Sequence, residues 1–312
     1  MIQCLRSLLA GLFVLLLAQS AAFAGVIKHV IVIAMENTDA SSIYGNTSEA
    51  PYLNNVLRPI AARSTSFIDT LPDENSQPHY ITMEAGTHTF TDLTFSASDD
   101  PSASYSTASQ AHLTQQMRVT VAPSKVRWMS YQQSMNANTG ACPIKSDDPY
   151  VARHNPFVYF RDVSGNPPSK TNPYCAAHFR PYSRFAGDLA ANRIANYVFI
   201  TPDNCNNMHD ACGTSSRTKA GDDWLSKELP PLIAWANAHS AVVLVIWDES
   251  YGAPTIPFFA FGAGVKKNYV SNLSLTHLSI IKSVEEIFGL PILPTVANAN
   301  TLKSLFKVGA YP

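Results

Sequence analysis

The chain has 312 residues, 46% of them hydrophobic and 14% charged, with 22 basic against 23 acidic side chains and a formal net charge of −1. That length holds one large domain, or one domain with a substantial insertion. Near-balanced charge without a basic run argues against nucleic acid as a partner, and the low charge with plentiful Ser, Thr, Asn and Pro suits an exported protein with long ordered loops.

Residues 1–24 read as a secretory signal peptide. Arg6 supplies a positive start, LLAGLFVLLLA an apolar core, and AFA at 22–24 a small-x-small cleavage site. Cleavage after Ala24 leaves one domain, 25–312, in the periplasm or outside the cell of a bacterium. The apolar stretch is too short to span a bilayer with these flanks. No later stretch reaches about 18 apolar residues without a charge, so no transmembrane segment is expected. Oligomeric state is not legible.

Next comes VIKHVIVIAMEN (26–37), whose β-branched centre reads as a strand buried on both faces, as in parallel sheets. Helices are expected at 52–64, at 79–86 ending on Gly86, and at 108–119, and a strand at 125–132. Residues 133–180, rich in Pro, Asn, Ser and Asp, read as an irregular excursion. A helix follows at 183–194 and a buried strand at 197–201. A Pro-interrupted helix at 220–239 precedes a second β-branched strand at 241–250, a further strand at 257–265 and a closing helix at 275–290. Alternating strands and helices predict an α/β fold with a largely parallel central sheet, whose functional crevice lies beyond the carboxyl ends of its strands.

Cys4 leaves with the signal, and Cys142, Cys175, Cys205 and Cys212 remain. Four cysteines in an oxidising compartment imply two disulfides with three possible pairings. Cys205–Cys212 closes a short loop and Cys142–Cys175 spans the excursion; this is the favoured pairing. CNNMHDAC (205–212) also allows a zinc site with His209 between two thiolates, which export disfavours.

Three apolar strands end in polar groups. The first runs into Glu36-Asn37, the strand at 197–201 into Asp203 through Asp210, and the strand at 241–250 into Asp248-Glu249-Ser250. Carboxylates converging at one sheet end repel unless a cation sits between them. One divalent metal ion answers this; the oxygen-rich set suits magnesium, manganese or calcium, and the histidine allows zinc. Ser76 stands just ahead of the helix at 79–86, where backbone N–H groups favour a developing alkoxide. Ser-x-Pro is also a common helix entry, so the residue equally reads as a cap.

In this order the segments resemble the secreted phosphoesterases that join bacterial acid phosphatases to phosphatidylcholine-type phospholipases C, within the alkaline-phosphatase-like superfamily. VIVIAMENTDASSIYGN with APYLNNV, NSQPHYITMEAG, RWMSYQQSM, RHNPFVYF, FITPDNCNNMHD, AGDDWLSKELP, VVLVIWDES and THLSIIKSVEEIFGLP carry the likeness over nearly all of the mature chain. The resemblance implies a three-layer fold and a hydrolase of phosphate esters working through a phosphoserine. It implies Ser76 as nucleophile, Glu36 with Asn37 and Asp248 with Glu249 around the metal, and His154 and His209 at the phosphate. Glu249 stands where the family often has Asp, and His79 where it usually has Asn beside the phosphate. Asn37 and the histidines would stabilise charge on the phosphoryl oxygens, and His154 or His209 would protonate the leaving group.

Two activities fit: a phosphatase on small phosphomonoesters, or a phospholipase C whose choline pocket would draw on Tyr150, Phe157, Tyr159 or Phe160. The substrate is then a small-molecule or lipid phosphate ester. A non-catalytic binding protein on the same fold is a third reading, and a sulfatase is disfavoured because no Cys-x-Pro-x-Arg or Ser-x-Pro-x-Arg occurs. His29, His88, His112, His178 and His239 read as structural or solvated, and His277 as a capping or packing residue.

Overall fold

The computed structural model describes residues 27–120, 125–135 and 141–312; the signal-peptide reading lies outside them. Eight strands form one sheet: β1 (His29–Met35), β2 (Ala62–Ser64), β3 (Trp128–Gln132), β4 (Phe179–Pro181), β5 (Tyr197–Thr201), β6 (Ala241–Trp247), β7 (Phe258–Gly262) and β8 (Tyr269–Ser271). Their spatial order is β4-β3-β5-β1-β6-β7-β2-β8. All pairs are parallel except those made by β7, which runs against both β6 and β2. The reversal follows from chain length. The segment between Trp247 and Phe258 is too short for the crossover of a dozen or more residues that a parallel return needs.

β1, β5 and β6 occupy the centre, and every residue of β5 and β6 is buried. Strand side chains alternate between faces, so such burial requires cover on both sides. Met35 meets the helix Arg217–Ala238 at Gly221, whereas the next residue, Glu36, meets Tyr80 of the helix Ser76–Ala85. The sheet therefore lies between two helical layers. Gly221 is required there: a Cβ at this position would lie 2.3 Å from Met208 Cγ.

The helix expected at 52–64 stops early. A π-type turn spans Leu53–Leu57, its first amides held by the Asp222 carboxylate, and Ala62–Ser64 joins the sheet. Pro59 between them lacks the amide that a continuing helix needs. The helix at 79–86 begins earlier, at Ser76, with Pro78 tolerated in its first turn and Gly86 closing it in the left-handed conformation. The helix at 108–119 shortens to Leu113–Val119, because Asp92 grips Thr107 and Ala108 in a turn. Arg217–Ala238 continues through Pro230 and Pro231, both of which are exposed on its solvent face. The 133–180 region, where described, carries short helical turns at Ala152–His154, Pro156–Tyr159, Arg161–Ser164 and Pro173–His178. Both expected disulfides, Cys142–Cys175 and Cys205–Cys212, are formed.

Candidate active site

β1 and β6 are hydrogen-bonded neighbours in register, with Met35 beside Trp247. They release Glu36-Asn37 and Asp248-Glu249 side by side at their carboxyl ends. The Asn37 amide, in a backbone conformation with φ 27° that Asn tolerates, donates to Asp248 Oδ1 at 3.0 Å. Ser76 opens its helix, and its hydroxyl is not spent on capping. It donates to Glu249 Oε1 at 2.7 Å and lies 3.3 Å from Glu36 Oε2. With its amide nitrogen turned inward, the Asn37 side chain donates to the same two oxygens, at 2.7 and 3.1 Å.

Burial pushes the Glu36 carboxyl up to about 8; the Tyr80 hydroxyl opposes this and the Glu249 charge adds to it. Asp248 is raised well above the carboxylate range by burial and by both glutamates, and Glu249 is raised by burial. Three acids this close ionise together only around a counter-charge. Among the described residues no Lys or Arg forms an ion pair with them, the one partner being His154 Nε2, 3.3 Å from Glu36 Oε1. Asp248 Oδ2 is buried without a hydrogen-bond partner. One oxygen from each of Glu36, Asp248 and Glu249 lies within 4.8 Å of the others. An all-oxygen set with an orphaned carboxylate oxygen fits a hard divalent cation bound at about 2.0–2.6 Å.

His154 is buried, stacks on Tyr80 at 5.1 Å, and has its pKa held well below the usual value by burial and by the Arg153 and His209 charges. His209 lies 6.0 Å from it, ring to ring, half-buried, with Nδ1 2.9 Å from Asp210 Oδ1. The Cys205–Cys212 bridge encloses this loop, and buried Met208 beside it packs on Thr38 and Gly221. Both ring nitrogens of His79 are engaged by partners other than Ser76. Nδ1 donates to the Asn75 carbonyl at 2.9 Å and Nε2 to Asp69 Oδ1 at 3.0 Å. Burial is the largest single effect and would lower this imidazole, but the Asp69 hydrogen bond, the Asp248 and Asp69 charges and the Asn75 carbonyl together outweigh it and lift the pKa to about 9. Asp69 also holds Ser250 through its backbone amide and hydroxyl, tying the loop after β6 to the serine helix.

Residues 74–291 match the Phosphoesterase family. The chain belongs to this family. It hydrolyses phosphoric esters. Among its relatives, the phosphatidylinositol-3-phosphatase of Mycobacterium tuberculosis is 26% identical over 280 residues, covering 89% of this chain and 82% of that one. The phosphate-repressible acid phosphatase of Penicillium chrysogenum is 28% identical over 199 residues, covering 60% of this phosphoesterase and 45% of the fungal chain. Murine ectonucleotide pyrophosphatase / phosphodiesterase 5 superposes with a TM-score of 0.58 at 9% identity, covering 90% of this chain and all of that one. The lipoteichoic acid synthase LtaP of Listeria monocytogenes follows at 0.52 and 13%, covering 90% and 75%. At these identities the likeness is one of fold, and the fold is alkaline-phosphatase-like.

Several site residues of this phosphoesterase are absent from the sequence reading. Tyr80 donates to Glu36 Oε1 at 2.8 Å; its spacing of four from Ser76 puts both on one helix face, which is the signal for it. Asp69 carries no such signal. His112, read as solvated, is fully buried between Glu84 at 2.9 Å and Asp162 at 3.1 Å. The aromatics considered for a choline pocket, Tyr150, Phe157, Tyr159 and Phe160, are all buried in the core.

Proposed function

We propose that this phosphoesterase hydrolyses phosphomonoesters through a phosphoserine at Ser76, beside a divalent metal held by Glu36, Asp248 and Glu249, with the Asn37 side-chain amide hydrogen-bonded to the two glutamates rather than to the metal. The observation that carries the reading is the Ser76 hydroxyl at the head of its helix, directed at two carboxylates of a buried acidic cluster whose third member keeps an orphaned oxygen. When bound, the metal supplies Lewis-acid activation of the serine oxygen and neutralises the acids.

The chain's own residues do the rest. Ser76 Oγ attacks phosphorus, its proton going to Glu249 Oε1, to which it already donates. The amides of the first helical turn and Asn37 stabilise charge on the phosphoryl oxygens. As the bond from phosphorus to the leaving oxygen breaks, His209 delivers a proton to that oxygen. His209 is preferred over His154 because it is half-exposed and oriented by Asp210, whereas burial keeps His154 neutral. Water then cleaves the phosphoserine. Phosphomonoesters are favoured over phospholipase C substrates because the aromatic side chains that would cage a choline lie in the core, and because the relatives above are named as phosphatases. Two disulfides fit an exported enzyme working in an oxidising compartment.

The test is metal removal and return. Chelator-treated enzyme should lose hydrolysis of p-nitrophenyl phosphate and regain it with a divalent ion. Asp248→Asn should bind metal at least 10-fold more weakly by equilibrium dialysis. Full activity in a protein shown to hold no metal would overturn the reading.

A further inference from the structure

Beside the serine helix lies an open polar cavity of about 640 Å³, with Ser98, Asp99, Asp100, Lys145, Ser146 and Arg153 among its lining. Two links join it to the reaction centre. Gln77, next to Ser76, is fully buried; its Nε2 donates to the Asp99 carbonyl at 3.3 Å and its Oε1 accepts from Tyr105 at 2.8 Å. Arg153, next to His154, lines the cavity.

The walls are built rather than loose. Tyr159 donates to the Asp99 carbonyl at 2.8 Å, and the Ala97 amide donates to the Tyr105 hydroxyl at 3.0 Å. Asp100 accepts from the Ser146 amide and hydroxyl, and the Ala152 amide bonds Ser146 in turn. One group stands out. Arg153 is half-buried, yet among the described residues its guanidinium makes no hydrogen bond or ion pair. A half-buried guanidinium keeps five N–H donors free for whatever enters.

We propose that this cavity is the leaving-group pocket and that it selects hydroxyl-rich alcohols, so that the preferred substrates are phosphomonoesters of sugars or polyols. The assignment rests on the phosphomonoesterase reading above. The lining offers donors from Arg153 and the serines and acceptors from Asp99 and the serines, and a polyol supplies both partners at each hydroxyl. Its formal charges balance, two acids against two bases, which favours a neutral group over a second phosphate or a quaternary ammonium. An aliphatic leaving group would strip water from these polar groups and return no hydrogen bonds. Arg153 is a specificity-determining residue in this arrangement, not a catalytic one.

The experiment compares kcat/KM of the metal-loaded enzyme for glucose 6-phosphate and n-hexyl phosphate, both primary alkyl esters, with p-nitrophenyl phosphate as a general control. The wild-type enzyme should favour the sugar ester by at least 10-fold. Arg153→Leu should cut that ratio by 10-fold or more. Asp99→Asn, which leaves the clamped Asp99 carbonyl in place, should cut it 3-fold or more and covers a failure of the first variant to fold. Vesicles containing phosphatidylinositol 3-phosphate form the lipid arm: turnover there without turnover of the free sugar ester assigns the polyol to a lipid headgroup, and the converse to a soluble ester. Either result supports the pocket when the Arg153 effect accompanies it. Equal kcat/KM for hexyl phosphate and the polyol ester that is turned over, free or in vesicles, or a ratio between them unmoved by both substitutions, overturns the pocket while hydrolysis of p-nitrophenyl phosphate leaves the phosphatase reading standing. Hydrolysis of none of these esters overturns both.

Discussion

The two oxygens of Glu36 have different work. Oε1 takes the Tyr80 hydroxyl and faces His154, while Oε2 faces Ser76 and Asn37. Tyr80 thereby orients one oxygen of a buried acid toward the serine, and its removal should be felt first in the metal. Tyr80→Phe keeps the ring stacked on His154 and deletes only the donor. Metal affinity by equilibrium dialysis should fall about 10- to 100-fold, as for other groups that orient metal ligands, and saturating metal should restore most of kcat. An unchanged binding isotherm would remove Tyr80 from that role. At this scale the acids were legible because apolar strands that end in carboxylates are costly without a partner. His79 was not: its direction is decided by Asp69, ten residues away in a loop with no periodicity.

Helix Ser76–Ala85 presents its buried face in register: Ser76 to the acids, Tyr80 to Glu36, and Glu84 to His112. The far end is thus pinned by a buried Glu84–His112–Asp162 bridge, with Thr114 also donating to Glu84. Burial pulls the His112 imidazole down, but the Asp162 and Glu84 carboxylates outweigh it and raise it to about 8. A folded pKa above the unfolded value of about 6.5 gives stability that is whole below pH 6.5 and is lost as pH rises through 8, about 2 kcal/mol in all. Glu285, raised to about 7 by burial, acts in the same direction, so the His112 share is read as a difference. Between pH 6 and 9 the Tm of the wild-type protein should fall a few degrees more than that of His112→Gln; parallel curves would contradict the bridge. The long elements were readable because VIVIA and AVVLVIW repeat over several residues. β2, β4 and β8, three residues each, are too short for any period to show, and His112 sits among polar neighbours while its partners lie 28 and 50 residues away.

Over the whole molecule, two disulfides brace the side of the sheet that carries the histidines. In the chain-entropy view the bridge with a separation of 33 residues stabilises by about 4 kcal/mol and the one with a separation of 7 by about 2. Replacing Cys142 and Cys175 by Ser should therefore cost more in urea denaturation, whereas replacing Cys205 and Cys212 should cost more in kcat, since that loop carries His209. The reverse ranking would contradict the assignment of His209 to the reaction centre. Of three possible sulfur pairings spacing favours the one that is formed, and the α/β class and the carboxyl-end location of the candidate site follow from alternation. The antiparallel β7 and the polar cavity beside Gln77 do not, because they arise from contacts between distant loops. The central claim is that Ser76 carries the phosphoryl group, and it is tested most directly by acid-quenching the metal-loaded enzyme during turnover and mapping phosphate by peptide mass spectrometry. Phosphate on Ser76 in the wild-type protein, absent together with turnover in Ser76→Ala, is the expected result; a Ser76→Ala enzyme that turns over near the wild-type rate, or phosphate trapped on another residue, would contradict it.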